Sequence, residues 1–145
     1  MVRARSSGAI SLPVNLHDLL ARAETRMIAH VVLFRPKPDV SIEDRQAIID
    51  AFARALRDIP SIRRAQVGRR VRVGRSYEQL TRIDMPYAAL LEFDDMAGLR
   101  AYLDHPAHGE ISRRFFDVLA DTLIYDFEVE ESAEGLRGLL DSGVD

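Results

Sequence analysis

Hydrophobic positions recur with two periods along this chain of 145 residues, and they divide it into strands and helices. Ile28-Ala-His-Val-Val-Leu-Phe34 is short, β-branched and aromatic, and Arg35-Pro36-Lys37-Pro38 ends it, which predicts a strand. Ser41 then stands as a helix cap, with Glu43 and Asp44 in the first turn beside the positive end of the helix dipole. Ile48, Ile49, Phe52, Ala55, Leu56 and Ile59 make the apolar stripe of that helix, and Pro60 closes it. Over 63–73, Ala65, Val67, Val71 and Val73 alternate with Gln66, Arg70 and Arg72, so a second strand is predicted there, followed by a polar connection over 74–85. Tyr87-Ala-Ala-Leu-Leu-Glu-Phe93 is a third strand. Asp94 or Asp95 caps a helix running through Tyr102, and His105-Pro106 interrupts it. A further helix carries Ile111, Phe115, Val118 and Leu119, and the last strand is Leu123-Ile-Tyr-Asp-Phe-Glu-Val129.

The order β-α-β-β-α-β predicts an α+β domain, a ferredoxin-like βαββαβ unit with a four-stranded antiparallel sheet. Its first and last strands should lie side by side at the centre-left of the sheet. This domain is expected over residues 27–131. Residues 1–26 form an N-terminal extension. Met1–Leu12 is small and polar without periodicity, expected to be disordered or loosely attached. Leu16, Leu19, Leu20 and Ala23 then recur at helical spacing, which predicts a short helix at about 14–25. That helix either docks on the domain or is sequence upstream of a start at Met27. Residues 132–145 are an acidic tail with a few leucines, expected to be mobile or a short helix.

Both faces of the sheet read as apolar. On the first strand Ile28, His30, Val32 and Phe34 share one face, and Ala29, Val31 and Leu33 the other. On the last strand Tyr125, Phe127 and Val129 oppose Ile124 and Asp126. Two helices cover one face only, and a face meeting water should be polar. The expected remedy is a homodimer in which the sheet packs on its twin to make a dimeric α/β barrel. The alternative is that the N-terminal helix covers that face within one chain.

Composition narrows the function. The net charge of −3 speaks against a nucleic-acid binder. The chain has nineteen arginines and one lysine, Lys37, a bias expected from a GC-rich coding sequence. Absence of cysteine excludes disulfides, thiolate metal sites and thiol catalysis together. No apolar run approaches the ~18 residues of a membrane helix. Arg3 and Arg5 are not followed by an apolar segment of signal-peptide kind, so a cytoplasmic location is expected. No phosphate-binding glycine loop and no serine-hydrolase elbow is present.

Three segments carry a family resemblance. Ala29-His-Val-Val-Leu-Phe34 before a proline-containing turn, Glu92-Phe-Asp-Asp-Met-Ala-Gly-Leu-Arg-Ala-Tyr-Leu-Asp-His-Pro-Ala-His108, and Tyr125-Asp-Phe-Glu-Val129 stand in the order and spacing of the stress-responsive dimeric α/β-barrel (Dabb) domain, which the chain resembles over about 27–131. The resemblance implies a ferredoxin-like protomer, sheet-to-sheet dimerisation and a cavity between sheet and helices. It also implies acid–base chemistry of the kind found in a plant relative, olivetolic acid cyclase, which closes a polyketide chain by aldol condensation. There a tyrosine and a histidine of the Tyr…His-Pro-x-His segment move the protons, and they match Tyr102 and His108. The first-strand histidine matches His30 and the last-strand aspartate matches Asp126. Where the cyclase has a further histidine, this chain has Tyr87.

The residues themselves leave each assignment with two readings. His108 follows Tyr102 across a proline break, so both can point into one cavity, with histidine passing protons near neutral pH. Alternatively His-Pro-Ala-His is a structural elbow, with His105 in solvent and His108 bonded to backbone. His30 and Asp126 have suitable parity for a pair that fixes an imidazole tautomer, whether for catalysis or for structure alone. His105 and His108 lack a third ligand and are divided by Pro106, so no metal is expected. Val32, Phe34, Ile48, Ile49, Phe52 and Ile111 would line an apolar ligand chamber, with Tyr87 adding a hydroxyl, or they pack as core. The function expected is a small apolar pocket with cofactor-independent, cyclase- or lyase-like acid–base catalysis on a small aromatic or polyketide-like molecule. The alternatives are a non-catalytic binding dimer and a structural dimer with its cavity packed shut.

Overall fold

A computed structural model describes residues 15–143 of the chain; the reading of Met1–Leu12 lies outside them. The elements are α1 (Leu16–Thr25), β1 (Ile28–Pro36), α2 (Ile42–Asp58), β2 (Arg64–Arg69), α3 (Tyr77–Leu80), β3 (Tyr87–Phe93), α4 (Met96–Asp104), α5 (Pro106–Val118), β4 (Leu119–Glu128) and α6 (Ala133–Asp141). The sheet has the order β2-β3-β1-β4, and every neighbouring pair is antiparallel. The protomer is thus ferredoxin-like. The first and last strands are adjacent as expected, but only β1 is central; β4 forms an edge.

Local chemistry explains where the helices begin. Ser41 Oγ accepts from the Asp44 N–H at 3.0 Å, closing the first turn of α2. Asp95, not Asp94, caps α4, accepting from the Gly98 N–H at 2.8 Å. Asp94 instead pairs with Arg63 at 2.8 Å. His105 ends α4 with ψ 139°, the extended conformation that a following proline imposes. Pro106 then opens α5, where its missing N–H costs nothing.

The core lies between the sheet and α2, α4 and α5. Ile28, Ala89, Leu91 and Phe93 of the sheet meet Ala51, Ala55 and Ile59 of α2, Leu99 and Tyr102 of α4, and Ala107 and Ile111 of α5. Ala51 and Ala55 are small enough for α2 to approach closely. The helix is consequently turned from its expected stripe, leaving Ile49 58% exposed and Leu56 41% exposed.

Two strand boundaries also differ from the sequence pattern. β2 stops at Arg69 because its partner β3 begins at Tyr87, opposite it, and Val71 and Val73 therefore lie exposed beyond the sheet. The connection that follows holds the short helix α3. β4 begins at Leu119 rather than Leu123, since β1 offers partners as far as Pro36 through a register shift after Arg35. At the other end the acidic tail forms α6, next to a tie in which Arg26 bridges Glu128 at 2.9 Å and Glu130 at 3.1 Å.

Phe93 is fully buried at the centre of the cluster. Phe93→Ala should lower unfolding free energy by about 3–5 kcal/mol, read from the denaturant midpoint at unchanged m-value.

Candidate active site

Period-two alternation on β1 turns His30 toward the helices, where it is, among the described residues, the buried polar side chain of the core. Antiparallel pairing sets Asp126 of β4 directly opposite. The His30 Nδ1–H donates to Asp126 Oδ1 at 2.6 Å, so the carboxylate selects the tautomer whose Nε2 carries the lone pair. Asp126 keeps much of its side chain in water behind the buried ring.

Tyr102 comes from α4, buried on its core side. Its ring meets His30 edge-on at 5.6 Å between centroids and is tilted against Phe93 at 5.1 Å. His108, on the first turn of α5, lies 4.6 Å from the same ring. The elbow at His105-Pro106 makes this contact possible. His105 Nδ1 accepts from the Ala107 N–H at 3.0 Å, capping α5. The His108 Nδ1–H donates to the Leu103 carbonyl at 3.1 Å, which leaves Nε2 as its basic nitrogen. Of the elbow reading, the backbone bond of His108 is present, together with the ring contact that the chemical reading requires; His105 is half-buried as the cap of α5 rather than in solvent. Among the described residues no three carboxylate or imidazole groups gather into a metal site.

Burial separates the acid and base properties of these groups. It pushes the Tyr102 hydroxyl up to about 12, with the Asp126 charge adding to the effect. Tyr102 therefore remains a neutral proton donor. Burial lowers His108, only partly offset by its bond to Leu103, and nearby His30 lowers it further. His108 is thus held neutral, with a lone pair available at physiological pH.

These groups border a cavity of about 70 Å³, lined by His30, Val32, Phe52, Ala89, Leu91, Tyr102, His108, Ile111, Ser112, Phe115, Phe116, Leu119, Thr122 and Ile124. Of the apolar residues expected around the chamber, Val32, Phe52 and Ile111 belong here. Phe34, Ile48, Ile49 and Tyr87 do not. They line a separate groove of about 640 Å³ toward the far end of β1, shared with Arg35, Lys37 and Arg45. Phe34 closes the way between them: it stacks on Tyr87 at 5.6 Å and meets Phe115 edge-on at 5.5 Å. Phe115 and Leu119 border both spaces.

Ser112 and Thr122 are polar wall residues that the sequence reading missed. Ser112 stands one helical turn after His108, and that i, i+4 spacing was the available signal. Thr122 donates to the Leu33 carbonyl at 3.1 Å, so its hydroxyl serves the sheet.

The family model for the stress responsive A/B barrel domain matches residues 28–129. The chain belongs to this family. Among curated proteins none matches the chain. Solved structures of the same fold include a dimeric ferredoxin-like protein of Thermobifida fusca, 25% identical, with TM-score 0.56 over 73% of this chain and 93% of that one. A Dabb protein of Mesorhizobium loti is 23% identical, with TM-score 0.57 over 74% and 99%. The hydroxynitrile lyase of Passiflora edulis is 19% identical, with TM-score 0.61 over 74% and 97%. At that identity the lyase shares the fold and supports no statement about activity.

The lowered His108 has a measurable consequence. Between its depressed value and the ordinary 6.5, the unfolded chain binds a proton that the folded chain does not. Stability from this group is therefore present at neutral pH and lost as pH falls through that window. NMR titration should place the His108 midpoint below 6.5, and His108→Gln should flatten the dependence of denaturation midpoint on pH there.

Proposed function

We propose that this Dabb domain is a cofactor-independent acid–base catalyst acting on a small carbonyl compound, at the site formed by Tyr102, His108, His30 and Asp126. The contact of three titratable rings inside a mostly apolar chamber carries the reading, since burial holds Tyr102 as a proton donor and leaves His108 with a free lone pair. His108 Nε2 takes a proton from the carbon beside a carbonyl. The Tyr102 O–H donates to the oxygen as enolate charge develops on it. His30, oriented by Asp126, sits where a second proton can be held or returned. An enolate made this way can add to a second carbonyl, as in cyclisation, or arise when such a bond is cleaved. The tight space of about 70 Å³ limits what enters fully to the reacting end of a molecule.

That same volume favours a second reading. Ligand pockets usually begin near ~300 Å³, so a chamber of about 70 Å³ is also what a structural dimer with its cavity packed shut would keep. Turnover distinguishes the two. Screening small ketones and polyketide-like thioesters for deuterium exchange beside the carbonyl should find a substrate. His108→Ala and Tyr102→Phe should each reduce exchange by roughly 10²–10⁴-fold with the fold retained. Exchange that survives both substitutions removes the catalytic reading.

The working unit we propose is a homodimer joined through the open sheet face. Leu90, Tyr125 and Phe127 lie on that face, 42%, 51% and 50% exposed, beside Val31 and Leu33 of the central strand. A contiguous apolar sheet surface of this kind needs a second layer. The Thermobifida fusca protein of the same fold is itself dimeric. Light scattering at micromolar concentration should give twice the chain mass. Tyr125→Asp combined with Phe127→Asp should give a monomer.

A further inference from the structure

The groove beyond Phe34 has a size and a charge pattern of its own. Its volume, about 640 Å³, lies within the range of small-molecule sites. Its walls are apolar, with Phe34 stacked on Tyr87 along one side and Ile48 and Ile49 of α2 on another. Arg35, Lys37 and Arg45 border it, and among the described residues no aspartate or glutamate does. In a chain of net charge −3, three cations around one apolar space are a local inversion of sign. Asp39, Asp44 and Asp117 line a neighbouring hollow that shares Lys37, Val40 and Val118 with the groove.

The three cations are not equally engaged. Lys37 Nζ donates to the Asp117 carbonyl at 2.9 Å, at the end of α5. Arg35 donates through one terminal nitrogen to the Asp84 carbonyl, while its Nε is buried with no hydrogen-bond partner among the described residues. A buried N–H without an acceptor is costly, and most such groups in folded proteins are satisfied. Arg45 forms no ion pair among the described residues: the salt bridges of α2 belong to Arg54 and Arg57. An apolar body in the groove with an anionic head at its rim would meet all three.

We propose that the groove between β1, α2 and the end of α5 binds an amphipathic carboxylate, with the apolar part against Phe34, Tyr87 and Ile49 and the carboxylate at Arg45 and Arg35. Arg45 is the main determinant of charge selection, because neither its fold contacts nor a carboxylate neighbour occupies it. The site is distinct from the Tyr102–His108 chamber and stands without the acid–base reading. The shared wall of Phe115 and Leu119 brings the ligand's tail next to that chamber.

Calorimetric titration of the full chain with octanoate, 1-octanol and octyltrimethylammonium tests the proposal. Octanoate should bind saturably and at least roughly tenfold more tightly than octanol, the margin expected of one charge-assisted contact, and the ammonium compound should bind least. Arg45→Gln should bring octanoate down to the level of octanol, and Arg45→Lys should recover part of the difference. His108→Ala should leave octanoate binding unchanged, so loss of the catalytic reading would not touch this one. Equal affinity for octanoate and octanol, or octanoate binding indifferent to Arg45→Gln, would overturn it.

Discussion

Alternation along β1 distributes nearly everything else in the molecule. Its even residues, Ile28, His30, Val32 and Phe34, point at the helices; Ala29, Val31 and Leu33 point away. The strand is paired on both edges, so a slip of one residue would invert both sets at once and break two ladders. In the observed register Ile28 lies opposite Phe93 and joins the core, and His30 lies opposite Asp126 and gains a carboxylate. Val32 enters the small chamber and Phe34 divides that chamber from the larger groove. One backbone parity thus supplies a core, a polar pair, a cavity wall and a partition.

The buried imidazole is tolerable only because of that register. Without Asp126, His30 would be a polar ring among Leu91, Phe93 and Tyr102 with its Nδ1–H unsatisfied, a penalty of about 1–3 kcal/mol. With it, the ring is fixed in orientation and tautomer. The carboxylate also reaches Tyr102 electrostatically and adds to the effect of burial on its hydroxyl. One hydrogen bond both satisfies the ring and fixes its tautomer, which explains why the residue pattern alone could not separate a structural pair from a catalytic one.

Much of the protomer was legible in the sequence, because short β-branched runs, capping residues and prolines act locally. The order of elements, the Ser41 cap and the meeting of Tyr102 with His108 follow from such signals. What was not legible depended on partners distant in the chain. Leu119 read as part of a helix, and 120–122 as no element, until β1 supplied a strand to pair with; Val71 and Val73 alternate like strand residues with no partner left to receive them. The apolar stripe of α2 was drawn through Ile49 and Leu56 and passed over Ala51, whereas close packing chose Ala51 beside Ala55. Phe34, Ile48, Ile49 and Tyr87 fell into a second space for a related reason. Hydrophobic pattern tells that a residue faces inward, but an aromatic partition decides which interior it faces.

The elbow at His105-Pro106 brings the rings of two residues six positions apart into contact, and no regular helix does that. At 3.6 residues per turn, six positions advance the direction of a side chain by about 600°, leaving it roughly 120° away from where it began. The pairing of Tyr102 with His108 is therefore written in the length of the joint as much as in the two residues. Surface connections commonly absorb an extra residue; this one has no slack. A single insertion or deletion between Leu103 and Ala107 would leave both rings in the protein and take away their acquaintance. Length variation across this family should for that reason collect in the arm between β2 and β3 and at the two ends, and spare these five positions.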